Sequence, residues 1–461
     1  MAKKKQSITP LVDALSGYRE EGPLPLHMPG HKQGKGMVPA LRNLLGARFF
    51  TFDVTEVEGL DDLHAPSGAI REAQKLAAEL FGAGRTFFLV NGVLAGFFAM
   101  LTAAGRPGET VLVARNLHPA AAEAIVLSRI VPTYWQPDID PATLLPREPE
   151  AAAIEAGLRR YPNTRAVLLP GPSIGGALPD WAALAAVCHR HGAALLADET
   201  AGISFPGRGA LPAGADAAVQ SPAPVPGAPA QGALLHIGGR RLDPACVQAA
   251  LGLIQTTSPS YLIMAGLDRT RRWLAQNGPA AARELMEQAE YLRRGIADGR
   301  ENATVLPHGP GRDPFCLGVT FPGRIIADPA AGLANLPRTA QAAAGLNSVV
   351  LRLGPGNDDD ERIAGVLRAL TLRALAADMD FPREILPEFA ASLPLPLRAS
   401  TEKIPYRRAL MRRAARRTVI LPPDACVLYP GEVIGETVIE ALAWQEQHGF
   451  REDKELEVYA D

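Results

Sequence analysis

The sequence predicts an α/β fold with a mostly parallel sheet flanked by helices, followed by a smaller α+β domain and a C-terminal module. Short apolar runs alternate with amphipathic helical patterns between residues 86 and 237, the pattern of strands buried on both faces and joined by crossover helices. Polar residues Asn91, Asn116, His118, Asp198 and Ser221 follow these runs, at the strand ends where ligands collect in such sheets. The 461 residues, 47% hydrophobic and 21% charged, suffice for two or three domains and exclude a disordered or fibrous chain.

Residues 1–50, rich in Gly, Pro and His, read as an irregular N-terminal arm. A large domain follows over 51–270. Its first helix covers 69–82, with Ile70, Ala73, Leu76, Ala77, Leu80 and Phe81 on one stripe and Gly82 as the stop. The uncharged stretch Thr86–Gly105 is broken by Asn91-Gly92, so it reads as strand, turn and buried helix rather than a membrane span. Further strands are expected at 110–114, 165–170, 193–198, 217–221 and 232–237, with a helix over 180–192. The pattern turns helical from Ser258 to Asp298, and a smaller domain is assigned to 271–380. A Pro-rich bridge (381–397) opens the C-terminal module, 381–461.

Forty-seven Lys+Arg against 49 Asp+Glu leave a net charge of -2, which argues against nucleic acid or an anionic membrane as a global partner. One local exception is Tyr406–Arg417, with six arginines. As a helix it would set Arg408, Arg412, Arg413 and Arg416 opposite Leu410, Met411, Ala414 and Ala415, a face for phosphate or an acidic partner, or simply a solvated one. The basic residues are 8 Lys and 39 Arg, and no lysine lies between Lys75 and Lys403. Cys188, Cys246, Cys316 and Cys426 are too dispersed for a zinc site or disulfide framework, so a cytoplasmic location is the default. The N-terminus shows no secretory h-region.

Asp198 ends an apolar strand and is followed by Glu199. A carboxylate there can pair with a protonated ring nitrogen, or simply cap the next turn. His118 is placed to stack on a planar ligand or to pack. His27 and His31 have a metal-like spacing, but Pro29-Gly30 precludes the helix that would align their rings, so no metal is expected.

Together these motifs resemble the bacterial Orn/Lys/Arg decarboxylase family, in its short form without a receiver-like N-terminal domain. The resemblance rests on ITPLVDAL (8–15), HMPGHKQG (27–34), DVTEVEGLDDLH (53–64), IREAQKLAAELFGA (70–83), FLVNG (88–92), RNLH (115–118), DE (198–199), QTTSPSYLIMAGLD (255–268) and YPGEVI (429–434). It implies a fold type I, aminotransferase-like architecture, a homodimer or larger, and pyridoxal phosphate held as an aldimine by a lysine. His118, Asp198 and Ser221 match cofactor contacts, while His27, His31, Asp61 and Asp62 are candidates for the substrate side.

The resemblance fails where chemistry would occur. An ungapped match of VQSPAPVPGAPAQGALLHI (219–237) puts Pro224 where the family carries its Schiff-base lysine, and no slip of alignment supplies one. Arginine cannot replace it, because its guanidinium stays protonated and is a poor nucleophile. The phosphate-cup hydroxyls are Val93, Leu94 and Ala95, the histidine after Asp-Glu is Ala201, the Lys-Ser pair is Pro119-Ala120, and an aromatic pair is Ile174-Gly175. The expectation is a non-catalytic pseudoenzyme with vestigial His118, Asp198 and Ser221, no catalytic residue and no covalently bound cofactor, which pairs with itself or an active paralogue. Two rivals remain: a decarboxylase of lysine, arginine or ornithine with a non-standard site, and an anion or nucleic-acid binder using Arg407–Arg417. In the C-terminal module, Pro422-Pro423-Asp424 stands in the family's turn.

Overall fold

A computed structural model describes residues 5–46, 48–202, 205–297, 303–306, 309, 311–326, 341–356, 360–361, 363–365, 374–376, 385–391, 400–421, 426–448, 451 and 453–460. The chain divides into two compact units, Met1–Ala103 with Ile203–Ala281, and Ala104–Gly202 with Ala282–Asp461. Pro422-Pro423-Asp424 lie outside the described residues.

In the first unit, strand Ala233–Ile237 pairs antiparallel with both Arg85–Leu89 and Ala217–Gln220. Helix Ala69–Phe81 buries Ile70, Ala73, Leu76, Ala77 and Phe81 and stops at Gly82, whose φ of 70° is left-handed. Residues 86–105 form the expected strand, turn and buried helix: Gly92 turns at φ 71°, and helix Val93–Ala104 follows. Among the described residues no helix is long and apolar enough to cross a membrane. Gly96 lets that helix lie close to the strands, since a Cβ there would fall 2.6 Å from Val219 Cγ2 and 2.9 Å from Leu89 Cδ1.

The N-terminal arm is not wholly irregular. Pro10–Glu21 is a 12-residue helix ending at Gly22 in the left-handed region. Its start is fixed by Asp13, which accepts from Thr9 N–H at 3.2 Å and Thr9 Oγ1 at 3.1 Å. Leu11 and Leu15 are buried. Arg271 anchors the segment by donating to Gln6 O (2.9 Å), Ile8 O (2.5 Å) and Asp268 Oδ1 (2.7 Å), while Asp268 Oδ2 accepts Leu11 N–H at 3.1 Å. Proline at the first turn and an acid at its end are helix-start signals that the surrounding Gly/Pro composition masks.

The second unit holds the parallel strands in the order Ala194–Glu199, Thr164–Pro170, Thr110–Ala114, Val131–Trp135, with Phe389–Ala391 antiparallel at the edge. Strand Val131–Trp135 was not among the expected ones, because Pro132 reads against a strand. A separate antiparallel sheet joins Gln341–Ala344, Ser348–Arg352, Cys316–Thr320 and Thr304–Val305. The C-terminal strands Thr401–Pro405, Thr418–Leu421, Cys426–Leu428 and Glu455–Tyr459 and helix Glu436–Gln447 enclose a core that includes Tyr406, Ile420, Leu428, Ile434, Leu442 and Val458.

A buried ion pair ties that C-terminal core to strand Thr110–Ala114. Arg115, 0% exposed, meets Glu432 with Nη1–Oε2 and Nη2–Oε1 both at 2.5 Å. Nη1 also donates to Val427 O at 3.0 Å, Tyr429 N–H donates to Glu432 Oε2 at 2.8 Å, and Tyr429 OH donates to Arg115 O at 2.9 Å. Tyr134 stacks on Tyr429 with centroids 4.7 Å apart. Removing one partner leaves the other charge buried and unpaired, so Arg115→Met should cost about 3–5 kcal/mol in chemical denaturation, whereas Arg115→Met with Glu432→Leu should cost much less than the sum of the single changes. Additive losses would contradict the pairing.

His236 sits within the first unit's strands, its Nδ1 2.7 Å from Thr86 Oγ1 and Nε2 3.1 Å from Gln220 Oε1. Burial pushes its imidazole down from 6.5 to about 3. The unfolded chain therefore binds a proton below about pH 6.5 that the folded state refuses, so this contribution is complete above that pH and is lost progressively toward about pH 3. His236→Asn should flatten the fall of the urea midpoint between about pH 6 and pH 4, and an unchanged slope would refute the assignment.

Candidate functional site

In the second unit, Asp198 lies at the end of strand Ala194–Glu199, as its sequence position implies, and is 2% exposed. Its carboxylate is engaged on both oxygens. Oδ2 accepts His118 N–H at 2.8 Å, while Oδ1 accepts Thr200 N–H at 3.0 Å and Thr200 Oγ1–H at 2.6 Å. Asp198 O also accepts Gly171 N–H at 2.9 Å. One side chain thus satisfies backbone leaving two strands of the sheet, Thr110–Ala114 and Ala194–Glu199, which flank Thr164–Pro170. His118 follows the first of these as an exposed ring whose Nδ1 accepts Ala120 N–H at 3.1 Å, so a neutral ring carries its proton on Nε2. Asn116 is buried beside it, with Oδ1 lacking a hydrogen-bond partner among the described residues.

In the first unit, Ser221 is half-buried just after strand Ala217–Gln220. Pro224 lies in the loop beyond it, which closes through Val225 N–H to Pro222 O (2.8 Å), Ala228 N–H to Val225 O (3.1 Å) and Gly232 N–H to Pro229 O (3.0 Å). Pro222 and Val225 are buried. Gly266 in the long helix Tyr261–Ala297 admits Pro229, because a Cβ there would fall 2.9 Å from its ring. The loop is a packed series of turns.

The Asn91-Gly92 turn, in the same unit, is clamped by side-chain amides, of which the sequence singled out Asn91 but not Gln231 or Gln255. Val90 N–H donates to Gln255 Oε1 at 2.8 Å, and Gln231 Nε2 donates to Val90 O at 2.6 Å. Asn91 bridges Ile254 O and Thr256 N–H, each at 3.3 Å. The signal was an uncharged polar residue at the border of an apolar run: Gln231 precedes GALLHI and Gln255 ends helix Pro244–Ile254. At the start of the helix that follows the turn, Val93, Leu94 and Ala95 supply no hydroxyl.

Asp61 has a left-handed φ of 72°. Its Oδ1 accepts N–H groups of Asp62 (3.0 Å) and Ser67 (2.8 Å), and its Oδ2 those of Gly68 (2.8 Å), Ile70 (2.9 Å) and Arg71 (3.2 Å). It therefore caps helix Ala69–Phe81 from a distance in sequence, satisfying N–H groups that the helix itself cannot. Tyr261 OH donates to Asp61 O at 2.5 Å, and burial raises the Tyr261 phenol far above its ordinary range. Asp62 Oδ1 accepts His64 N–H at 2.8 Å. His27 Nε2 lies 3.0 Å from Tyr18 OH, and His31 Nε2 lies 3.3 Å from Asp53 Oδ2. Among the described residues, no group of three His, Cys, Asp or Glu is arranged to hold a metal ion.

The arginine-rich stretch is not the helix its spacing suggested. Only Tyr406–Arg408 makes a short 3₁₀ turn. Met411 is left-handed at φ 65°, and Arg413 and Ala414 form β-bridges to Val433 and Val458. Long-range pairing, Met411 N–H to Ile434 O at 2.8 Å and Ala414 N–H to Glu432 O at 2.9 Å, overrides the local periodicity. The arginines do not form one face: Arg407 meets Glu446 at 3.1 Å, Arg412 meets Glu402 at 2.6 Å, Arg413 donates to Gly431 O at 2.8 Å and Arg416 meets Glu457 at 2.7 Å. Lys454, Tyr406 and Arg407 around Glu446 hold its carboxyl down at about 2.

Comparison with known proteins agrees with this architecture. The family profile described as "Orn/Lys/Arg decarboxylase, major domain" matches residues 9–310. The chain is 30% identical over 459 residues to an arginine decarboxylase of Bacillus subtilis, covering 95% of this chain and 93% of that protein. It is 29% identical over 459 residues to an arginine decarboxylase of Halalkalibacterium halodurans, covering 94% and 92%. The lysine decarboxylase of Francisella novicida superposes with a TM-score of 0.79 at 17% identity, over 99% of this chain and 82% of that one. The fold is accordingly the fold type I, aminotransferase-like one, and the chain belongs to the Orn/Lys/Arg decarboxylase family.

Proposed function

We propose that this chain is a non-catalytic member of its family, whose retained work is binding, regulation or scaffolding. The observation that carries this reading is the absence of any lysine from residue 76 to residue 402. Covalent capture of an aldehyde cofactor needs an amine that can lose its proton, and no guanidinium supplies one. Pro224 takes the position of the family's lysine in a loop whose turns and buried Pro222 and Val225 leave it shaped by its own packing.

The residues present do not fit a covalently held pyridoxal phosphate. The helix start at Val93 offers backbone N–H groups but apolar side chains to an anion. His118 and Asp198 remain, yet each has structural work in the chain alone. Ser221, His27, His31, Asp61 and Asp62 complete no catalytic set, and Asp61 is consumed in capping.

The names of the Bacillus subtilis and Halalkalibacterium halodurans relatives, matched over 95% and 94% of this chain, favour one second reading: an active arginine decarboxylase. Its amine would have to come from a lysine outside residues 76–402, such as Lys32 or Lys35. The partner we assign is a second copy of the chain or an active paralogue, in the cytoplasm. Leu24 and Leu26 (75% exposed each), Val38 (63%) and Leu44 (79%) form an apolar N-terminal segment that an associated chain would cover. A net charge of -2 and ion-paired arginines disfavour nucleic acid.

Two measurements decide. Protein incubated with pyridoxal phosphate, reduced with borohydride and mapped by peptide mass should show no modified lysine within the site, and lysine, arginine and ornithine should yield no amine. A reduced adduct on Lys32 or Lys35 together with agmatine formation would establish the second reading instead. Asp198→Asn places an N–H group against donors, so it should destabilise the cofactor-free protein by about 1–3 kcal/mol in urea melts. If Asp198 served only an absent ring, the cofactor-free protein would lose nothing.

A further inference from the structure

Of the arginines on the expected helical face, Arg416 alone joins the cation cluster of the C-terminal module. Lys403, Arg416, Arg417 and Arg451 converge on a cleft of about 300 Å³ beside the paired strands Thr401–Pro405 and Glu455–Tyr459. Asp453, Glu455 and Glu457 also line it, so the decisive matter is which charges are already compensated. Glu457 sits across from Lys403 in the strand register but is committed elsewhere. Its Oε1 accepts Thr401 Oγ1 at 2.8 Å and its Oε2 meets Arg416 Nε at 2.7 Å. Asp453 Oδ1 accepts Glu455 N–H at 3.0 Å, which leaves its charge in place, and Glu455 is exposed, so four cations face three carboxylates in the cleft.

Arg451 is held differently. Its Nε donates to Asp453 O at 2.5 Å and its Nη2 to Glu455 O at 3.2 Å. Two main-chain carbonyls orient the guanidinium without cancelling its charge. Burial weighs against that charge and lowers its pKa from the ordinary arginine value, while the Asp453 carboxylate favours it in part. Neither Arg451 nor Lys403 has an ion pair among the described residues. A partly buried, pre-oriented guanidinium with an ammonium lining the same cleft suits phosphate oxygens, which take charge-assisted, bidentate bonds from arginine.

We propose that this cleft binds a small polyphosphate-type anion, either free or as the phosphate tail of a nucleotide. Its volume of about 300 Å³ suits a few phosphoryl groups. The proposal is independent of how the cofactor-type residues are read.

Calorimetry on the full chain at fixed ionic strength should show saturable binding of inorganic tripolyphosphate. Arg451→Gln and Lys403→Gln should each weaken it about tenfold, whereas Arg407→Gln, whose side chain is paired with Glu446 and does not line the cleft, should leave it unchanged. Lys403 is exposed, so its variant reports even if Arg451→Gln fails to fold. ATP binding tighter than tripolyphosphate identifies a nucleotide as the source, and equal affinity identifies the free anion. No saturable heat at millimolar tripolyphosphate, or affinity unaltered in Lys403→Gln, overturns the proposal. So does binding confined to a single-stranded oligonucleotide.

Discussion

A chain that leaves the end of a buried strand carries backbone N–H and C=O groups that must find partners, and meeting that requirement organises both units. Ladder pairing ends where the strand ends, and an orphaned buried group costs on the order of 1–3 kcal/mol. The second unit meets the requirement with Asp198, which takes the N–H groups of His118 and Thr200. The first meets it with neutral amides, Gln231 and Gln255 on Val90 and Asn91 on residues 254 and 256. Asp61 does the same for the start of helix Ala69–Phe81.

Buried arginine is the second recurring device. Arg115 with Glu432, Arg271 with Asp268 and Arg352 with Asp313 (2.7 Å) each join segments far apart in sequence, because the guanidinium also donates to main-chain carbonyls. Such pairs add little net stability over an apolar core, but they are intolerant of half-removal and so specify one arrangement. A composition of 39 Arg and 8 Lys fits this use, since only arginine's planar fork satisfies a carboxylate and several carbonyls together.

How much of this could be read beforehand follows from the range of the interactions. Strand Thr110–Ala114 and helix Ala69–Phe81 were legible because local periodicity and burial agree there. Helix Pro10–Glu21 was hidden by a Gly/Pro-rich neighbourhood although its own start signals are present. The stretch after Tyr406 was misread because its conformation is set by pairing with residues 432–434 and 458, which no local period encodes. Asp198 was legible as a buried acid at a strand end. Its partner His118 N–H, 80 residues away, was not.

That last gap bears on how a site is inferred from surviving residues. A carboxylate at a strand end invites a reading as ring partner, and a nearby histidine as stacking ring. Here the same carboxylate already accepts three bonds from the chain, and the histidine accepts Ala120 N–H. A residue that closes a loop is retained for folding whether or not a ligand ever arrives, so its survival carries little information about chemistry. The informative positions are those with no structural alternative, such as the amine that only covalent capture requires. An uninterrupted lysine-free span over residues 76–402 therefore weighs more than the persistence of Asp198 and His118 together.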